Sequence, residues 1–564
     1  MLISYLVYFI RAFFIMLGNI LKKGIRPPDY VTFTIHGSYP DLREVPESYL
    51  QKKLKGRIKS LQELENDFQL IAKNPRVKGI ILHVGNLSMP FSKIQSLAQM
   101  LQDLQSNGKE VITWATGYDT YSYYLATAAN RIFIQEGGVI DTLGFTHRQV
   151  HMKNALDWCG IELDVVRISP YKAALEQLTH SKMSEEAREM VNWIMDSHYQ
   201  QFVRAVTRGR NLEKYNVDAL IEKTPLHGEK ALEAGALDSV VNFENLPSFL
   251  GNSGKSARLA SWDECGKIFT RPMPPSPGKY IAVLRVQGNI VDGKSQRPPG
   301  RPPFSLPFLF NDQTGNLSFV QQAHRVLKDK KAKGVLLYID SGGGSAASSE
   351  AINSSLQKIA AQKPVVAMMS SVAGSGGYYV ATPASYIVAQ PATITGSIGV
   401  ITAKVVNSRL LERLLLNRET IQRGKKDLFD SPEEPFTEEE KKKAWEFISQ
   451  IYELFIKRVA DNRKINPEDV HHIGKGKVWT GEQALEHGLV DELGGLKTAV
   501  NKLYSLANLP ANTPLVEIPL PKREISPSDT SMAWFNCAFH NMALLRDNQA
   551  LFIDPLFFST TNTS

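Results

Sequence analysis

The chain has 564 residues, nearly four times the ~150 that serve as a soft guide to one domain, so a single compact core is excluded. With 43% hydrophobic and 22% charged residues it has ordinary globular usage, which excludes disorder throughout, collagen-like repetition and a many-span membrane protein. A formal charge of +8, from 65 basic and 57 acidic residues, is small for this length and is no nucleic-acid signature.

Residues 2–21 are apolar apart from Ser4, Arg11 and Asn19, and about 20 residues is the length of one spanning helix. Arg11 costs roughly 2.5–3.5 kcal/mol at the centre of a span, against about 0.3–0.6 kcal/mol returned by each Leu, Ile, Phe or Val. Insertion is favourable by a narrow margin, and an interfacial helix is the alternative. No small-residue cleavage site follows, so the segment reads as an uncleaved anchor over residues 1–26. Lys22, Lys23 and Arg26 favour a cytoplasmic body by the positive-inside rule.

Beyond the anchor the chain is written twice. Lys78-Gly79-Ile-Ile-Leu matches Lys333-Gly334-Val-Leu-Leu, Tyr123-Tyr124-Leu-Ala-Thr matches Tyr378-Tyr379-Val-Ala-Thr, and Gly144 matches Gly399, each pair 255 positions apart. Gly228 through Asp238 matches Gly481 through Asp491 at an offset of 253. The pattern predicts a tandem duplication of one α/β unit. The copies span 30–250 and 279–510, with a join at 251–278 and a tail at 520–564. In the second copy Tyr280–Val286, Gly334–Ile339, Val365–Met369 and Tyr386–Ala389 read as buried strands, and Ser348–Ala361 as a helix. Thr437-x-x-Glu440 is a capping box opening a helix over 438–460, and Ser184 opens its counterpart. Repeated strand, turn and helix imply largely parallel sheets covered on both faces. A Pro-rich apolar insert, 297–310, exists only in the second copy.

Cys159, Cys265 and Cys537 are far apart without metal-type spacing, so neither a disulfide framework nor a metal site is expected, and no cofactor.

Duplication supplies an internal control, because features of one copy alone are candidates for chemistry. Asp340-Ser341-Gly342-Gly343-Gly344-Ser345 stands where the first copy has Gly85-Asn86-Leu87-Ser88-Met89-Pro90. Glycines between strand and helix let backbone N–H groups face a cavity, as in an oxyanion hole or phosphate cradle. Ala373-Gly374-Ser375-Gly376-Gly377 stands where the first copy has Tyr118-Asp119-Thr120-Tyr121-Ser122. Ser375 is expected at a helix start with its hydroxyl exposed and the Gly376 N–H beside it. A serine nucleophile needs a base. None of the twelve histidines lies near either glycine segment, and His471-His472 read as loop or helix-end residues. A lysine serves when burial favours its neutral amine, but the residues alone do not select one.

Ser-Gly-Gly-Tyr-Tyr (375–379), Ala-Thr-Pro-Ala (381–384), Thr395-Gly-Ser-Ile-Gly399 and Gly476-Lys-Val-Trp-Thr-Gly481 resemble the signal peptide peptidase A, or protease IV, family. The tandem copy with its N-terminal anchor is similar to that family's long form. The resemblance implies the Clp protease/crotonase fold, with repeated β-β-α units, and a Ser/Lys dyad. It makes Ser375 the nucleophile and assigns the oxyanion hole to the N–H groups of Gly343 and Gly376. It points to Lys172 in Pro170-Tyr171-Lys172-Ala173-Ala174-Leu175-Glu176 as the base, and Lys426, near the duplicate position, is the rival. The family's loop reads Asn-Ser-Pro-Gly-Gly; the proline is missing here, which should loosen the hole.

The resemblance also implies signal peptides and other apolar peptides as substrates, contact with membrane lipid, and a homo-oligomer, a tetramer. It implies the bacterial inner membrane with a periplasmic body, against the reading of Lys22, Lys23 and Arg26. The competing readings are acyl-CoA chemistry on the crotonase-like fold and a membrane-anchored scaffold whose site has decayed. An ATP-driven protease is disfavoured, since Phe249 stands where the P-loop-like Gly251-Asn-Ser-Gly254-Lys-Ser256 needs its first glycine.

Overall fold

Apolar, β-branched runs bounded by glycine or charge become strands covered on both faces, and they sort into two sheets. The computed structural model describes residues 2–22, 24–43, 58–252, 254–274, 278–296, 312–421, 423–424, 432–520 and 550–553. The insert 297–310, Lys426, Cys537 and most of the tail lie outside the described residues. Two compact units form, one from residues 1–146 and 195–278, the other from His147–Ile194 with the chain from Lys279 onward.

In the first unit Tyr30–Gly37, Gly79–Leu87, Glu110–Tyr118 and Arg131–Ile140 lie side by side in parallel. Leu259–Ser261, from the join, pairs in parallel with Tyr30–Gly37 as an edge strand. Helix Leu61–Ala72 opens on a Ser60/Glu63 capping box and buries Leu61, Leu64, Phe68 and Ile71 at helical spacing. The N-terminal helix Leu2–Lys22 exposes Leu6, Phe9, Phe13 and Phe14. Among the described residues it is the one helix long and apolar enough to cross a membrane, with a mean hydropathy of 1.5 over Tyr5–Lys22. Such a helix fits a membrane anchor or a signal sequence.

The second unit is built on Ala332–Ser345, flanked in parallel by Tyr280–Val291 and Val365–Gly374. All ten residues of Val365–Gly374 are buried, the pattern of a central parallel strand. Tyr386–Ala389 follows beside it. Each strand read from the sequence is present, three of them extended at the C-terminal end and two of these running into the glycine segments. Helix Ala346–Ala360 is capped by the Ser345 side chain, which accepts from the Ser348 N–H. Helix Glu438–Arg463 opens on the Thr437/Glu440 capping box and buries Ala444, Ile448, Tyr452 and Phe455.

The duplication extends to individual atoms. Arg210 donates to both carboxylate oxygens of Asp238, at 2.7 and 3.0 Å, and Asp238 accepts the Ile132 N–H. Arg463 does the same to Asp491, at 2.9 and 2.7 Å, and Asp491 accepts the Ile387 N–H. The Tyr123 hydroxyl donates to Ala236 O, as the Tyr378 hydroxyl does to Leu489 O. Burial holds both phenols well above their ordinary pKa, so they act as neutral donors.

The compact units do not follow the two sequence copies. Glu162–Arg167, from the first copy, pairs antiparallel with Ile401–Val406, from Arg167 opposite Ile401 to Glu162 opposite Val406. Val166 is buried in the same cluster as Ala282, Leu337 and Ile398. Trp193 stacks on Trp479 with ring centroids 5.0 Å apart and donates its indole N–H to Val478 O at 2.8 Å. Residues 147–194 therefore belong to the core of the second unit.

Candidate active site

The residues following the Glu162–Arg167 strand carry Lys172 into the second unit's interior, where it is fully buried. The Lys172 Nζ donates to Ser375 Oγ at 2.7 Å and to both the Oγ and the carbonyl oxygen of Ser397 at 2.9 Å. The backbone around Lys172 is held by close packing. A Cβ on Gly476, which has φ +83°, would lie 2.7 Å from Lys172 Cα, and one on Gly399 would lie 3.3 Å from Lys172 Cδ. Only glycine admits that approach. Ser169 donates its hydroxyl to Lys475 O just upstream.

Ser375 sits between the end of the Val365–Gly374 strand and helix Gly376–Ala381, as expected. Its hydroxyl is not exposed as the sequence suggested, because the whole side chain is buried under surrounding structure. Its backbone is strained, with φ 51° and ψ −112°, a conformation that a non-glycine residue adopts only when its surroundings enforce it. The Ser375 N–H donates to Gly396 O at 2.8 Å, fixing the turn. Gly376 abuts the glycine loop: a Cβ there would lie 2.8 Å from Ser349 Oγ and 3.0 Å from Gly343 Cα.

The two glycine segments thus meet, bringing the backbones of Gly343 and Gly376 together. The Gly343 N–H donates to Ser341 Oγ at 3.1 Å, and the Ser341 hydroxyl in turn donates to Gly288 O at 2.6 Å. Asp340, where the loop begins, accepts the Val372 N–H at 3.2 Å.

Ser397 is the residue that sequence reasoning missed, although it lies inside the quoted Thr395–Gly399 motif. Its φ of 52° and its glycine neighbour mark a forced backbone position, but only the fold reveals that it faces a lysine 225 positions away. Lys426 lies outside the described residues. His471 ends helix Pro467–Ile473 and pairs with the Tyr452 hydroxyl at 3.2 Å, as a helix-end residue would.

A cavity of about 210 Å³ adjoins Lys172, lined also by Arg167, Leu175, Glu176 and Ile401. A larger one of about 750 Å³, lined by Tyr171, Trp445 and Tyr452, reaches neither Lys172 nor Ser375. The matching position in the first copy is arranged differently. Thr120 spends its hydroxyl on the backbone of Gly144, donating to the carbonyl and accepting from the N–H, both at 2.9 Å.

An amine within hydrogen-bond reach of a buried serine hydroxyl, beside clustered backbone glycines, is the arrangement of an activated nucleophile. Two stretches, residues 103–252 and 357–510, match the model of peptidase family S49. The chain belongs to that family. The matches fall one in each copy, so the duplicated unit is a peptidase domain. Over 517 residues the chain is 29% identical to the chloroplastic serine protease SPPA of Arabidopsis thaliana, covering 88% of this chain and 75% of that one. It is 27% identical to Protease 4 of Haemophilus influenzae, covering 84% and 74%, and 29% identical to Protease 4 of Salmonella typhi, covering 80% and 72%. These relatives match in the long, tandem form. The S49 chain is a serine protease acting on peptides, which decides against acyl-CoA chemistry and a decayed scaffold.

Proposed function

We propose that this S49 peptidase works through a Ser375/Lys172 dyad, and the 2.7 Å hydrogen bond between Lys172 Nζ and Ser375 Oγ carries the reading. Lysine is a base only as the neutral amine, the form that burial favours. Lys172 takes the hydroxyl proton as Ser375 Oγ attacks the peptide carbonyl. The N–H groups of Gly343 and Gly376 hold the oxyanion, Gly343 exchanging its Ser341 partner for it. The resulting ammonium protonates the leaving amine and the acyl-enzyme forms; water, deprotonated by the same amine, then releases the acid. In this reading the copy over 279–510 supplies nucleophile and oxyanion hole, the copy over 30–250 supplies the lysine, and each has the Clp protease/crotonase fold of β-β-α repeats.

The helix Leu2–Lys22 anchors the enzyme as a single-pass protein, and the substrates are signal peptides and other apolar peptides released in the membrane. The body faces the periplasmic side of a bacterial inner membrane, and the enzyme assembles as a homotetramer. The apolarity of the helix supports the membrane assignment.

A fluorophosphonate probe with an apolar quenched peptide tests the dyad. Ser375→Ala should lose labelling and at least about 10³-fold of hydrolysis. Lys172→Ala should do likewise while Lys426→Ala retains activity. The reverse result moves the base to Lys426.

A further inference from the structure

Glu176 closes the segment that carries Lys172, and the mechanism above gives it no task. Its side chain is 1% exposed, and a carboxylate so deeply buried demands partners. One oxygen accepts from Arg167 Nη1 and the other from the Ser184 N–H, both at 3.3 Å. Charge-assisted bonds to a carboxylate normally close to about 2.7–2.9 Å, so neither contact is tight. Arg167 and Glu176 both line the cavity of about 210 Å³ that Lys172 also lines. The acid, its arginine and the amine that must gain and lose a proton thus share one small chamber.

The neighbouring charges are turned elsewhere. Asp164 also lines the chamber, but its carboxylate accepts the Phe436 N–H at 2.8 Å. Lys404, opposite Asp164 in the strand pair, lies over the Phe436 ring at 4.2 Å. Alternate residues of a strand face opposite sides, so both lie on the face away from Arg167. His180 is exposed at the chamber's edge, with its Nδ1 beside the Thr179 hydroxyl at 2.9 Å. On the side of Gly476, Lys475 lines the larger cavity and Lys477 lies over the Tyr171 ring at 5.2 Å, while the Tyr171 hydroxyl donates to Glu189. Asp340 accepts the Val372 N–H, and Ser375 and Ser397, which take Lys172 Nζ itself, are uncharged. Among the described residues, Arg167 and Glu176 remain as the opposite charges that face the amine across the chamber.

We propose that Glu176 is the counter-ion of the Lys172 ammonium formed during catalysis, and that Arg167 offsets its charge so that the amine rests neutral. A carboxylate beside an amine favours the ammonium, and a guanidinium favours the free amine. Both residues act through Lys172 and are positioning residues. The proposal rests on the Ser375/Lys172 reading.

The test follows kcat/KM and the fluorophosphonate labelling rate of the full-length enzyme from about pH 5 to about pH 10. Both rise with pH as Lys172 loses its proton, which gives an acid limb. One unit charge a few ångströms away through protein moves such a limb by about one pH unit. Glu176→Gln removes the carboxylate and should move the limb down by about that much, with a lower plateau because a weaker base takes the serine proton less readily. Arg167→Gln removes the cation and should move the limb up by about one pH unit, so that activity below the limb falls about 10-fold and returns at higher pH. Arg167→Lys, which keeps the charge, should return the limb to its original place. Loss of packing alone lowers the rate without moving the two limbs in opposite directions. A limb that stays put in either folded variant, or moves the same way in both, overturns the proposal. Arg167 is the more exposed partner, and its two variants decide alone if Glu176→Gln does not fold. If Lys172→Ala keeps the limb and the labelling, the dyad falls first, and the counter-ion with it. A limb lost in Lys172→Ala but indifferent to Arg167 and Glu176 sinks the counter-ion alone.

Discussion

At the scale of single residues, the site depends on holding one lysine in one pose. Ser397 accepts from Lys172 Nζ through both its hydroxyl and its carbonyl, which aims the amine at Ser375. Loss of one such bond is worth ~1–1.5 kcal/mol, or roughly 10-fold in rate. Ser397→Ala should therefore lower kcat about 10-fold and leave KM unchanged, and Ser397→Thr, which restores the hydroxyl, should recover most of it. A matched rise in KM would mean a role in binding instead. The proposed nucleophile was singled out because two copies could be compared: Thr120 and Ser375 occupy one position, and only Ser375 has glycine neighbours. Ser397 was not legible as a partner of Lys172, because nothing local to residue 397 indicates which distant chain it will meet.

At the scale of elements, the copies repeat their fastenings as well as their strands. Arg463 ties the end of helix Glu438–Arg463 to Asp491, while Asp491 also accepts the Ile387 N–H. The arginine side chain is 8% exposed and the carboxylate 26%, so the pair is largely withdrawn from water. Removing the charge leaves a guanidinium poorly paired. Asp491→Asn should cost about 2–3 kcal/mol, read as a fall of roughly 5–10 °C in Tm. Asp238→Asn should cost a similar amount, since Arg210 and the Ile132 N–H meet it in the same way. A large loss at one position and none at the other would break the equivalence. The Gly228–Asp238 and Gly481–Asp491 match carried only the carboxylate half of these fastenings, whose arginine partners lie 28 positions away; the capping box at Thr437/Glu440 was readable whole, because it acts within three residues.

At the scale of the whole molecule, the decisive feature is the strand Glu162–Arg167. It pairs with Ile401–Val406, and the next residues deliver Lys172 beside Ser375. A second copy alone lacks both the lysine and this strand. The fragment 279–564 should therefore show no fluorophosphonate labelling under conditions where the full chain labels. Labelling of the fragment would mean that a second-copy residue, Lys426 first among them, supplies the base. On the proposed reading one copy keeps the nucleophile, while in the other Thr120 is tied to Gly144.

By itself the sequence determined the duplication, four strands of the second copy, the start of the long helix in each copy, the apolar N-terminal helix and the family. All of these are written in local periodicity or in likeness between positions at a constant offset. Only the tertiary structure decided that residues 147–194 pack in the second unit, that Ser397 holds Lys172, that Ser375 is buried, and that Leu551–Ile553 lies along the glycine loop. The physical reason is common to them. Each depends on strand pairing or side-chain packing between segments remote in the chain, and pairing partners follow from the burial of whole surfaces, which no short stretch of sequence records.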